Sequence, residues 1–276
     1  MNDGLVTGAV AGAATAVLTR LLRTRPPGGG ARWTRTNHAG RPISLLEGPG
    51  YVAGSALGLA AAALASPRRQ TGMGSVAAGL VAGVGAGAAG LLDDLAGDSA
   101  SKGLRGHLGA LRQGRVTTGA LKIAGIGASG LVGAALVDRD AGRRLGPATL
   151  VGGAVIAGSA NLANLLDLRP GRALKATVLG GIPLALLGES AAASAVGAAL
   201  GSLPADLRGE TMLGDTGANA AGALVGTALV ARSGPLGRGV ALAVLTALTL
   251  ASERVSFTRV IESTPVLRDL DAWGRP

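Results

Sequence analysis

The sequence contains no cysteine, so neither a disulfide nor thiolate chemistry is available to it. Aromatic side chains are almost absent as well: Trp33, Tyr51, Phe257 and Trp273 are the full set, 1% of the chain. That scarcity rules out placing membrane boundaries by an aromatic belt. It also leaves the basic residues without the interleaved rings of a nucleic-acid surface. Lysine is rare beside arginine, three against 23, a bias that reads as nucleotide composition more than function. Charge is sparse overall, at 15% of residues, and it is bunched between uncharged stretches.

What is present is glycine and aliphatic surface. The 276 residues include 48 Gly, 48% are hydrophobic, and the mean hydropathy is +0.43. These values predict an all-α, polytopic integral membrane helix bundle rather than a soluble domain. The apolar runs are 4–22, 49–66, 74–92, 118–137, 145–166, 174–187, 190–203, 216–230 and 236–251, about nine spans; the pair around Gly188 is short for two crossings. A barrel would need short alternating segments, which the sequence lacks. The first run has acidic Asp3 before it and Arg20, Arg23 and Arg25 after it, so it does not read as a cleaved signal. Small-residue series such as Gly54/Gly58 and Gly79/Gly83/Gly87 predict close helix approach. The organisation expected is a transmembrane domain over 1–253 and a cytoplasmic amphipathic tail over 254–276, the tail carrying Val255, Val260, Ile261, Val266, Leu267 and Leu270 between charges.

Basic residues orient this bundle. With nine spans, one side receives 19 of the 26 Lys and Arg, and the other receives only Arg68, Arg69, Arg139, Arg143, Arg144, Arg232 and Arg238. The positive-inside rule then puts the N-terminus outside and the C-terminus in the cytoplasm. The formal charge of +10 lies in loops between spans, which favours anionic lipid head groups and phosphorylated substrates over nucleic acid.

The polar constellations all fall on that basic side. Asp93 and Asp94 close an uncharged run, and Lys122 stands in the first turn of the next one; carboxylates beside a basic loop could hold a divalent cation and an anionic substrate, or simply end a helix. In the first loop Arg32, Arg35, Asn37, His38 and Arg41 could meet a phosphate, or serve as a solvated positive flank. Asn161, Asn164 and Asp167 share a helical face at a span end, either as interhelical glue or as ligands for a polar substrate. Arg169, Arg172 and Lys175 crowd the turn after them, an anion site or another flank. Gly214 and Gly217 bracket Asp215 and Thr216 at a span start, leaving free N–H groups beside a carboxylate that could also be a plain cap.

As an ordered set, Asp93-Asp94, Asn161-x-x-Asn164-x-x-Asp167 and Gly214-Asp215-Thr216-Gly217 resemble the motifs of the polyprenyl-phosphate N-acetylhexosamine-1-phosphate transferases, the superfamily that includes phospho-N-acetylmuramoyl-pentapeptide transferase. The resemblance extends from the Asn37-His38-x-Gly40 loop to the arginine-rich tail. It implies a multi-pass protein of the bacterial cytoplasmic membrane acting in cell-wall biogenesis, with active-site loops in the cytoplasm. It implies Mg²⁺-dependent transfer of a sugar 1-phosphate from a nucleotide sugar, a UDP-N-acetylhexosamine, to polyprenyl phosphate, with release of UMP; Mn²⁺ is an alternative ion. Asp93, Asp94 and Asp215 would be catalytic, with Asp94 and Asp215 on the metal. Lys102 and Lys122 match basic positions near the lipid phosphate. Asn161, Asn164 and Asp167 match the loop that organises the nucleotide sugar, with Arg169, Arg172, His38 and Arg41 as further substrate contacts. A homodimer is compatible with this picture.

Three departures accompany the resemblance. Leu168 and Pro170 flank Arg169 where the family commonly has a second aspartate and glycines. The tail has no histidine, and the sequence ends where family members usually add a tenth span. The rival expectation is a non-catalytic or altered-donor relative that binds polyprenyl phosphate or a lipid-linked intermediate.

Overall fold

The computed structural model describes residues 3–37, 39–65, 73–96 and 117–276. Every one of the nine apolar runs becomes a helix. They are α1 (Asp3–Thr24), α2 (Glu47–Ala65), α3 (Met73–Ala96), α4 (Thr118–Asp140), α5 (Pro147–Leu166), α6 (Arg172–Leu186), α7 (Ser190–Leu207), α8 (Gly214–Arg232) and α9 (Pro235–Ser252). Two short tail helices follow, α10 (Phe257–Ser263) and α11 (Pro265–Ala272). Local chemistry marks the boundaries. Thr117 caps α4 by accepting from the Ala120 N–H, and Pro147, Pro235 and Pro265 start helices where a missing N–H costs nothing. The short pair around Gly188 is two separate helices, because Gly188 takes φ +93° and ends α6 with a left-handed turn.

Six of these helices, α1, α2, α3, α4, α5 and α9, are long and apolar enough to cross a membrane. The protein is therefore a multi-pass membrane-helix bundle. Of the three helices outside this set, α6, α7 and α8, the last is the hub: it packs against α2, α3, α4, α5, α6 and α7. A helix enclosed by other helices has no lipid to satisfy, so its small and polar residues are tolerated. Peripheral α9 shows the converse, turning Leu236, Val240, Val244 and Leu250 outward.

Close approach depends on the small residues. A Cβ on Gly54 would lie 2.6 Å from the Thr15 nitrogen, and one on Gly58 2.6 Å from Ala11 Cβ, so α1 and α2 meet only because both are glycines. Gly83 likewise admits Leu224, and Gly87 admits Val52.

The first loop is more ordered than its Pro-Pro and triple-glycine composition suggests. It forms a two-stranded antiparallel hairpin, β1 (Thr34–Thr36) with β2 (Pro42–Ser44). Ser44 then exchanges backbone hydrogen bonds with Glu210 and Met212, and buried Trp33 donates its indole N–H to the Pro27 carbonyl. Pairing with a segment some 170 residues away is tertiary information that no local composition carries.

Candidate functional site

Helix directions alternate, and the contacts place odd-numbered ends beside even-numbered starts. At one end of the bundle, Arg23 in the last turn of α1 meets Glu210 before α8, Asp93 of α3 meets Lys122 of α4, and Asp206 of α7 meets Gly171 before α6. The polar sequence motifs converge there.

The organising contact is between Asp94 and the start of α8. Asp94 Oδ1 accepts from the Asp215 N–H at 3.1 Å; Oδ2 accepts from the Thr216 N–H at 2.9 Å and the Thr216 hydroxyl at 2.6 Å. A carboxylate from another helix thus caps α8 and faces the positive end of its dipole. Gly214 makes this fit through its φ of +59° and because a Cβ there would stand 3.0 Å from Asp94 Oδ2. With α8 fixed in this way, the Asp215 side chain reaches Lys122, whose Nζ lies 2.5 Å from Asp215 Oδ2 and 2.7 Å from Asp93 Oδ2. Three carboxylates and an ammonium from three helices therefore form one cluster, its members partly open to solvent. Arg35 of the hairpin closes one side by donating to the Asp94 carbonyl.

A second acidic group backs the first. Asp167, at the end of α5, is buried, accepts from the Gly214 N–H, and has Oδ2 without a hydrogen-bond partner among the described residues. Burial, and then the charge of Asp206, push its carboxyl well above the ordinary range. Asp206 Oδ1 accepts from the Gly171 N–H at 2.7 Å, and Glu47 accepts from the Thr211 hydroxyl. Glu47 and Asp206 are buried, and neither was singled out from sequence as a site residue. The signal for Glu47 was available: it is the one acid in the stretch leading into α2, directly before a Gly-rich helix start. A cavity of about 290 Å³ opens beside Asp167 and Asp206, with Asn37, Arg169, Met212 and Thr258 among its walls.

The remaining expected residues scatter more widely. Asn161 donates to the Thr249 hydroxyl at 3.1 Å and so joins α5 to α9 as interhelical glue. Asn164 is half-buried on α5, and its carbonyl accepts from the Asp167 N–H. Arg169 lines the cavity and donates to the neighbouring Leu168 carbonyl. Arg172 is buried against the tail, where its Nε and Nη2 clasp both oxygens of Asp271. Arg41 is exposed at the hairpin turn. His38 and Lys102 lie outside the described residues.

At the opposite end, Arg238 is buried and holds Asp138 bidentately at 2.6 and 3.0 Å, with the Thr149 hydroxyl 2.8 Å from the same carboxylate. This ion pair joins α4, α5 and α9 far from the motif cluster.

Among the described residues, no group of three or more His, Asp or Glu side chains is arranged to hold a metal ion. Asp93 and Asp215 share the Lys122 ammonium; Mg²⁺ commonly takes one or two carboxylates and fills its other positions with water and substrate phosphates. An all-oxygen donor set also suits that ion. No protein-family model matches the chain, and no curated protein matches it.

Proposed function

We propose that this protein is a phosphoglycosyl transferase of the polyprenyl-phosphate N-acetylhexosamine-1-phosphate transferase kind, transferring a sugar 1-phosphate from a nucleotide sugar to polyprenyl phosphate. The observation that carries this reading is the convergence of Asp93, Asp94, Asp215 and Lys122 at the start of α8, at the end of the bundle bearing the basic loops. In this reading all nine helices α1 to α9, the six apolar ones and the three they enclose or flank, span the bacterial cytoplasmic membrane, with the N-terminus outside and the cluster facing the cytoplasm. A lipid phosphate then reaches the cluster laterally while a water-soluble donor enters from the cytoplasm.

Joining two anionic reactants requires charge neutralisation and alignment. Lys122 supplies a positive charge to the lipid phosphate, whose oxygen attacks the sugar-bearing phosphorus as the bond to the departing nucleoside monophosphate breaks. Asp94 positions: its oxygens are taken up by three donors of α8, so it fixes where Asp215 points. Asp93 and Asp215 would hold Mg²⁺, which would supply charge neutralisation of the donor diphosphate. Asp167, with its unpartnered oxygen, offers an acceptor to donor hydroxyl or imide groups at the cavity.

A second reading, a binding protein without turnover, is favoured by the Lys122 ammonium between Asp93 and Asp215, which balances those charges without a metal. Purified protein with undecaprenyl phosphate, Mg²⁺ and a panel of UDP-, CDP- and GDP-sugars separates the two by lipid mass spectrometry and nucleotide release. The transferase should yield a sugar-phosphate lipid and the matching monophosphate, and Asp215→Asn should abolish both. Lipid binding with no product from any donor would leave the binding protein standing.

A further inference from the structure

The tail is held on the bundle by charge, not by burial: no residue of α10 or α11 is buried. Its apolar side chains, Val266 and Trp273 among them, stay exposed. Its anchors converge on the turn that separates α5 from α6. Arg172 is 5% exposed and places Nε and Nη2 at 2.8 and 2.9 Å from the two Asp271 oxygens, while Nη1 donates to the Thr258 hydroxyl at 3.0 Å. Lys175 Nζ donates to the Leu270 and Asp271 carbonyls at the closing end of α11. Arg275 donates to the Pro170 carbonyl at 2.9 Å and places its charge 2.8 Å from Asp271. From the other side the same turn is gripped by Asp206, which accepts from the Gly171 N–H.

Two cavity walls belong to this arrangement. Thr258 comes from the tail itself, and Arg169 stands on the gripped turn, three residues before Arg172. Arg169 is the cation among the described cavity-lining residues, and no carboxylate pairs with it among the described residues. Geometry of this precision is a poor way to gain stability, because a buried ion pair returns little beyond its desolvation cost. It is an effective way to fix where a loop and its arginine stand.

We propose that the C-terminal segment is a strap that completes the donor cavity, with Asp271 as the positioning residue that sets Arg169 for the phosphates of a nucleotide sugar. This inference rests on the transferase reading for the identity of its ligand.

No residue of α10 or α11 belongs to the apolar core, but Asp271 is the carboxylate partner of buried Arg172, so a charge swap is needed beside the truncation. The test uses the full-length protein as wild type, Asp271→Ala, Asp271→Glu and the charge swap Arg172→Asp/Asp271→Arg. Each is followed by thermal melting, by limited trypsin cleavage after Arg254, Arg259 and Arg268, and by UDP affinity together with donor and lipid KM. Asp271→Ala leaves the Arg172 guanidinium without its carboxylate and should lower the melting transition, cleave faster in the tail and lose about tenfold in UDP affinity and donor KM, the low end of what losing a supporting partner costs; the charge swap should restore the melting transition. Lipid KM and kcat should hold, and the Glu variant or the swap should recover part of the loss. Faster tail cleavage with unchanged UDP affinity would overturn the positioning role and leave a structural strap. Wild type that neither binds UDP nor turns over any nucleotide sugar would instead sink the transferase reading, and the ligand assigned to the strap with it.

Discussion

Lys122 is the residue on which the two readings of the cluster diverge. Its ammonium is 18% exposed and lies within 2.7 Å of both Asp93 and Asp215, so replacing it with methionine leaves two carboxylates facing each other with no counter-charge. Breaking a fully buried pair costs about 3–5 kcal/mol, and solvent access lowers that here to about 2 kcal/mol. Lys122→Met should therefore lower the melting temperature in chelator. Millimolar Mg²⁺ should recover most of the loss if Asp93 and Asp215 are metal ligands, and calorimetry with and without the ion reads both effects. Recovery absent at every Mg²⁺ concentration would remove the metal assignment. From sequence, Asp93, Asp94, Asp215 and Lys122 were all identifiable, because each is a charge at the edge of an uncharged run. The contacts each makes were not. The expectation paired Asp94 with Asp215 on the metal, whereas the structure gives Asp94 to the N–H groups of α8 and leaves Asp93 beside Asp215.

Helices were the most legible elements, since runs of that length and apolarity have no other way to satisfy their backbone. Their packing was partly legible too. The Gly54 and Gly58 spacing predicted a close helix neighbour, and the structure supplies α1 across both glycines. Gly54→Leu should separate α1 from α2, because a side chain there meets Thr15 backbone atoms that cannot move aside. The expected cost is about 3 kcal/mol or more, seen as aggregation or loss of the monodisperse peak in size-exclusion chromatography. Gly127, where a Cβ meets no atom within 4 Å, should accept alanine with little change in the same assay. The first loop and the tail were read less well as elements. A hairpin held by Ser44 against Glu210 and Met212, and a strap held by Arg172, Lys175 and Arg275, both depend on partners more than 90 residues distant.

At the scale of the whole molecule, orientation is the open assignment that the charge distribution predicts. Single cysteines at Thr36, Ser101, Ala141 and Ser263, in a chain that has none of its own, can be probed with an impermeant reagent in intact cells. Only the position at Ala141 should react; labelling at Ser101 from outside would reverse the orientation. The sequence by itself determined that the chain is a bundle of membrane helices and that its carboxylates stand at helix ends, because hydrophobic length and charge exclusion act locally along the chain. Tertiary structure alone decided which ends meet. It made α8, a helix outside the six apolar enough to cross a membrane, the centre of the bundle, added Glu47 and Asp206 behind Asp167, and assigned Arg172 to Asp271 rather than to an open anion site. The physical reason is that a buried polar group must find a partner wherever the packing of small residues brings one, and that partner is set by the whole arrangement of helices and not by the neighbours in sequence.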